Sequence, residues 1–172
     1  MGNRVRGVYD TGAEAAGYHE ADIVMAWANC LRDILIKVGH TVVRTRVNEK
    51  DPAPVSRRDD IATAYGCSLM ISLHCNAANG SAKGTETFYR GEDDKAFAVT
   101  LNKAVVKALG TVDRGAKTEK ETQHPSLAVM EFNKCWLIEL GFIDNSSDRA
   151  KLVDPTRRYD ACLAIAAALT SY

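Results

Sequence analysis

His74 closes a nearly continuous apolar run, Ser68-Leu-Met-Ile-Ser-Leu-His74, and opens a polar stretch, Cys75-Asn76-Ala-Ala-Asn79-Gly80. Strand ends that open into loops are where α/β domains place reactive groups. Two readings stand for this histidine: a strand cap, or a group that binds a cation or moves a proton. Glu139 favours the second. It is the one carboxylate within Trp136-Leu-Ile-Glu139-Leu-Gly-Phe142. An ionised carboxylate among apolar neighbours is costly unless it is paired or bound to a cation. Partial desolvation also raises its pKa toward the range that suits proton transfer near neutrality. The plainer alternative is a glutamate on the wet face of an edge strand. Glu20 stands at the mouth of the first helical segment, where a negative side chain favours the helix dipole. It is either an ordinary first-turn acid or a third member of the same site.

Other chemistries fit less well. His19-Glu20 begins like the zinc-protease pattern H-E-x-x-H, but position 23 is Ile, so the second histidine is missing. There is no G-x-S-x-G elbow and no Gly-rich loop ending in G-K-[ST]. Cys75 adjoins His74, yet neighbours along a strand point to opposite faces, which argues against a Cys–His couple. The five cysteines form no C-x-x-C pair and sit among apolar residues, as expected of reduced, buried thiols.

The elements that would position these groups follow from periodicity. Ile23, Trp27, Cys30, Leu31, Ile34, Leu35 and Val38 recur at three- and four-residue steps, predicting an amphipathic helix over 20–38. Residues 40–46 read as a short β-branched strand and 54–65 as a second helix. Residues 68–74 read as a strand covered on both faces, 76–83 as a loop, 84–90 as a strand and 93–109 as a helix. Residues 113–125 are polar and read as irregular. Residues 127–132 and 135–140 read as strands or a hairpin, and 159–169 as an Ala-rich helix. Helices alternating with buried strands point to an α/β three-layer domain with a mostly parallel central sheet flanked by helices. The first helix of such a domain normally follows a strand, and the residues ahead of Glu20 do not read as one.

The 172 residues suit a single domain. Twenty-two Lys+Arg balance 22 Asp+Glu, which argues against nucleic acid or an anionic membrane held by bulk charge. No apolar run approaches the ~18–20 residues that span a bilayer. Met1-Gly-Asn-Arg-Val-Arg-Gly has no apolar stretch behind it, so it does not read as a secretory signal. The chain is expected to be made in the cytoplasm and to leave by another route.

Taken in order, several segments resemble the zinc-dependent N-acetylmuramoyl-L-alanine amidases, the amidase type 3 family. Asp10-Thr-Gly-Ala13 followed by Glu20-Ala-Asp22 is similar to the family's D-P-G-A stretch and its metal-binding glutamate. Thr45-Arg46 and Val55-Ser-Arg-Arg58 resemble its Thr-Arg and L-x-x-R segment. Ile71-Ser-Leu-His74-Cys-Asn76 resembles S-x-H-x-N, and Gly84-Thr-Glu86-Thr its G-x-E segment. Arg114-Gly-Ala-Lys117 resembles a substrate-side loop, and Ile138-Glu139-Leu-Gly-Phe-Ile-Asp-Asn145 the stretch with the catalytic glutamate. The wording is closest to that of phage or prophage endolysins.

The resemblance implies a single catalytic domain over 1–172 that cuts the amide between N-acetylmuramic acid and L-alanine in peptidoglycan. It implies Glu20 and His74 as zinc ligands, Glu139 as acid–base, and Asn76, Glu86 and Arg114 as substrate-binding residues. The family's first ligand, a histidine in a Gly-His-Gly turn after its first strand, has no counterpart in the sequence. The domain is therefore expected to be N-terminally incomplete, to hold its one zinc ion weakly and to have reduced activity. The implied partner is peptidoglycan, met as a monomer, with no nucleic acid and no membrane insertion. Two other functions stay open: a wall-binding module on the same fold, and a zinc carboxypeptidase-like hydrolase acting within the stem peptide.

Overall fold

The computed structural model describes residues 11–48, 51, 54, 57–121 and 128–172. Two two-residue strands, β1 (Glu14–Ala15) and β2 (Tyr18–His19), form a minute hairpin ahead of helix α1 (Glu20–Lys37). There follow α2 (Arg58–Ala64), β3 (Met70–Asn76), β4 (Thr85–Tyr89), α3 (Lys95–Leu109), β5 (Asp113–Thr118), β6 (Cys135–Phe142), α4 (Ser146–Val153) and α5 (Pro155–Thr170). The main sheet has the order β3-β6-β4-β5. β3 pairs parallel with β6 and β4 parallel with β5, while β4 and β6 run antiparallel. The α/β expectation holds, and the sheet is mixed, with two of its three pairings parallel.

Strand alternation sorts side chains onto two faces. Trp136, Ile138 and Leu140 are fully buried in the large core, joined by Trp27 and Leu31 of α1, Leu101 and Val105 of α3, and Ile165 of α5. The opposite face carries Met70, Leu137 and Phe88 in a smaller core with Ala62 of α2 and Met130. That second core covers only part of its face. Further along the same strands this face presents Ser72, His74, Asn76, Glu139 and Glu86 (even positions of β3 and β4, odd of β6). A sheet bulky on one side and half-covered on the other is what leaves room for a site.

Several predicted elements shift. Among the described residues no strand pairs with 40–46, and the segment forms none; a strand needs a ladder partner. An apolar cleft of ≈ 300 Å³, lined in part by Val24, Leu31, Val42, Ile71 and Leu73, separates this segment from β3. Residues 128–131 form a 3-10 turn instead of a strand, and residue 127 lies outside the described set. The second helix is described from residue 57 on, and residues 55 and 56 of the L-x-x-R-like stretch also lie outside it. The polar stretch read as irregular contains β5, an edge strand. Helix α4 was not expected; Asn145 caps it, its Oδ1 accepting from the amides of Ser147 and Asp148. α5 starts earlier than expected, at Pro155, with Asp154 as its cap. No helix among the described residues is long and apolar enough to cross a membrane.

Candidate active site

Register places the two strand-borne candidates side by side. His74 of β3 is paired with Glu139 of β6, and Glu139 with Glu86 of β4. Directly paired residues share a face, so one imidazole and two carboxylates form a row across three adjacent strands. Glu20 joins the row from elsewhere. The hairpin turn Ala16-Gly17, with positive φ at both residues, brings the chain back so that α1 begins against residues 11–13. The amides of Glu20 and Ala21 donate to the carbonyls of Ala13 and Thr11.

The Glu20 carboxylate is tightly held. Its Oε1 accepts from His74 Nδ1 (2.9 Å) and from the Cys75 amide (3.1 Å), and its Oε2 from the Ala13 amide (2.9 Å). The bond to the Cys75 amide shows that Glu20 reaches His74 over the edge of β3 that does not face β6. Gly12 makes room for it: at φ +68°, a Cβ at this position would lie 2.4 Å from Glu20 Oε2. The far side of the imidazole is also fixed, with Nε2 3.0 Å from Ser72 Oγ.

Burial and charge then set the proton affinities. Burial disfavours the Glu20 anion, but the hydrogen bond and charge of His74 and the two amides outweigh it, so its pKa lies below the ordinary value. Burial likewise disfavours protonated His74, and Arg58 works against it, yet Glu20 and Glu139 together raise its pKa. Glu139 behaves differently. Burial pushes its pKa up to about 7, His74 opposes this, and the charges of Glu20 and Glu86 add to it. Its Oε2 is buried without a hydrogen-bond partner. Such a carboxyl gains or loses its proton near neutrality and faces an imidazole, as general acid–base work requires.

The remaining predicted residues surround Glu86, which is only 4% exposed. Asn76 Nδ2 donates to its Oε1 (2.8 Å), while Arg114 Nε (2.9 Å) and Lys117 Nζ (2.5 Å) donate to its Oε2. Asn76, Glu86 and Arg114 are thus brought into one network beside Glu139, and it is Asn76 and the two cations that carry the accessible surface. The structure adds Lys117 and Ser72 to the set. Three residues apart on a regular strand, Arg114 and Lys117 would point to opposite faces. The β4–β5 register shifts between Thr85 and Thr87, whose partners are Asp113 and Ala116. This bulge at Arg114-Gly115, with Gly115 at φ +83°, restores both cations to Glu86.

The loop after β3 is tied down from the end of β6. Asp144 Oδ2 accepts from the amides of Ala78 and Gly80, and Asn145 Nδ2 donates to the Gly80 carbonyl. The fully buried Asp148 accepts from the amides of Gly84 and Phe142. His19, the imidazole next to Glu20 in sequence, pairs with Glu14 at 3.2 Å across the small hairpin. Among the described residues, no three His, Cys, Asp or Glu side chains are arranged as a metal site. The donor set of Glu20 and His74, an imidazole and a carboxylate in contact beside an orphaned carboxyl oxygen, has the chemistry of part of one.

Residues 5–171 match the family model described as N-acetylmuramoyl-L-alanine amidase (Amidase_3). The chain is 33% identical to the uncharacterized protein YqiI of Bacillus subtilis, over 95% of this chain and 79% of that one. It is 28% identical to the N-acetylmuramoyl-L-alanine amidase CwlM of Bacillus licheniformis over 83% of this chain, spanning only 56% of that longer protein. Among solved structures it superposes on the catalytic domain of the amidase CwlV from Bacillus (Paenibacillus) polymyxa with a TM-score of 0.85. The two are 27% identical, and the match covers 96% of this chain and 92% of that one.

Proposed function

The chain belongs to the N-acetylmuramoyl-L-alanine amidase family, and from that premise we propose that it is a peptidoglycan hydrolase cutting the amide between the lactyl group of N-acetylmuramic acid and L-alanine. The observation that supports this most is the row His74–Glu139, with Glu20 closing on His74 at 2.9 Å. Glu20 and His74 would hold a zinc ion. When bound, zinc supplies Lewis acidity toward the amide carbonyl and a lower pKa for its water. Glu139 takes the proton from the attacking water and returns it to the nitrogen of the departing L-alanine. A carboxyl poised near neutrality serves both directions of that transfer. Ser72 and the Cys75 and Ala13 amides keep the imidazole and the Glu20 carboxylate in place, as outer partners of metal ligands do. Asn76 and Arg114 form the substrate-binding side, held in place by the buried Glu86 between them. The catalytic unit spans the whole chain, and the phage-lysin likeness of its wording extends the proposal to a lysin-type use against bacterial walls.

The test is a digest of purified peptidoglycan with the zinc-supplemented protein, read by mass spectrometry. Intact stem peptides with a new L-alanine amino terminus are the expected products. Amino acids or dipeptides freed from inside the stem would point instead to a carboxypeptidase. Wall binding without any release would point to a binding module.

A smaller prediction arises from the cradle around Glu20. Gly12→Ala places a methyl where Glu20 Oε2 sits and forces a β-carbon into a left-handed backbone. Turnover and zinc affinity are expected to fall roughly ten- to a hundredfold, the usual effect of disturbing a ligand's supports. Calorimetric zinc titration and the release assay check it; unchanged values would mean that Glu20 is not held as described.

A further inference from the structure

Two cations share one buried carboxylate on the side of the site away from His74. The arrangement is more than Glu86 alone requires for neutrality: one cation would do, and a second is added. Both side chains remain about a third exposed, Arg114 at 33% and Lys117 at 29%. Each has donors beyond the one aimed at Glu86, since a guanidinium carries five N–H groups and an ammonium three. The pair is also held rigidly. The Arg114 guanidinium lies 5.0 Å from the centre of the Phe142 ring, and the bulge that aligns it with Lys117 is pinned by Asp113. Asp113 Oδ1 accepts from the Gly115 amide (2.8 Å) and from Asn102 Nδ2 (2.6 Å). With the chain's formal charge at zero, this is a local feature and not part of a broadly basic surface.

We propose that Arg114 and Lys117 form a receptor for a carboxylate on the substrate, selecting stem peptides whose second residue carries a free α-carboxylate over those in which it is amidated. This rests on the amidase reading of the neighbouring row and names the substrate class of that same site. The spacing suits it. β4 lies between β5 and β6, so β5 stands about 10 Å from the strand bearing Glu139 at the usual ~4.8 Å between strands. Two extended residues reach about 7 Å from the scissile amide, and the long Arg and Lys side chains close the remainder. Glu86 acts here as a positioning residue: too buried to meet a polymer, it aims the two cations and is joined to the hydrolytic strand through Asn76.

Two synthetic substrates differing at one group decide the matter: N-acetylmuramoyl-L-alanyl-D-glutamate and its D-isoglutamine counterpart. The protein is expected to favour the acid at least about tenfold in kcat/KM, as one charge-assisted pair allows. The preference should reside in KM and shrink as salt is added. Lys117→Met should bring the ratio toward one without altering the melting temperature by more than a degree or two, and Lys117→Arg should restore most of it. Equal handling of the two substrates by the unaltered protein would overturn the proposal, as would a Lys117→Met loss that is the same on both. Should neither be cleaved, the amidase reading fails by itself. The receptor is then tested by NMR titration with the free dipeptides L-alanyl-D-glutamate and L-alanyl-D-isoglutamine, where tighter binding of the acid supports it and equal binding refutes it.

Discussion

Glu139→Gln is expected to lower kcat by about 10²–10⁴-fold, the range of general acid–base catalysis by one side chain, while leaving the fold intact. The amide keeps the shape of the carboxylate but cannot carry a proton from water to a leaving amine. The same substitution has a second, opposite signature. The folded protein holds the Glu139 proton up to about pH 7, whereas the unfolded chain releases it near the ordinary 4.5. Between those values the native state binds a proton that the unfolded state has lost, so stability from this group falls as pH rises, by up to about 1.4 kcal/mol per pH unit. His74, with its raised pKa, adds stability that is present below its unfolded pKa and lost above its folded one. Glu20, with its lowered pKa, acts in the other sense, and its contribution is lost on acidification. Metal-free protein should therefore lose stability from pH 5 to 7.5 in urea titrations, and Glu139→Gln should flatten that slope and be the more stable form at pH 7.5. A variant that is inactive yet firmer at neutral pH identifies a group kept for chemistry at the expense of the fold. A variant that keeps its turnover would remove Glu139 from the mechanism.

Trp27→Ala carries the largest expected effect on stability, about 3–5 kcal/mol, or roughly 10 °C in melting temperature for a domain of this size. Trp27 is fully buried. Its indole nitrogen donates to the Leu152 carbonyl (2.9 Å), and the Cys162 thiol donates to the Trp27 carbonyl (3.7 Å). The indole thus ties α1 to the end of α4, and the main chain of the same residue meets α5. Truncation leaves a cavity and strands a buried carbonyl. Trp27→Phe fills most of the space but leaves that carbonyl unpaired, so it should fall between the two. Because α1 also delivers Glu20, Trp27→Ala is expected to weaken zinc binding alongside its melting temperature. A melting temperature within a degree or two of the original would show that the three helices are held together by something else.

The strands that carry His74 and Glu139 were legible because buried strands announce themselves as continuous apolar runs, and a lone polar residue inside one is conspicuous. α1 was legible by its repeat, to within a residue of its end. The segment 40–46 misled for a physical reason: β-branched residues show that a chain is comfortable extended, but not whether a partner lies close enough to pair. β5 was hidden by its bulge. A strand that breaks its own alternation, contains glycine and lies at a sheet edge has no period to detect. Arg114 and Lys117 stand in one stretch of the resemblance, and the alternation of a regular strand would set them on opposite faces. In the sequence Asn145 stands out only by its place in a motif. The structure gives it a different task, capping α4 and fastening the loop that follows His74.

The antiparallel pairing of β4 with β6 has a consequence for how such a protein can diverge. His74 and Glu139 sit toward the outgoing ends of their strands, whereas Glu86 and Arg114 sit just inside the incoming ends of theirs. On the proposed mechanism, Glu86 and Arg114 therefore belong to stretches of chain separate from those that bear His74 and Glu139, entered through different connections. On that reading the short piece from 110 to 118 is where specificity would change with the strands bearing His74 and Glu139 left in place, so long as a cation is kept for the buried Glu86.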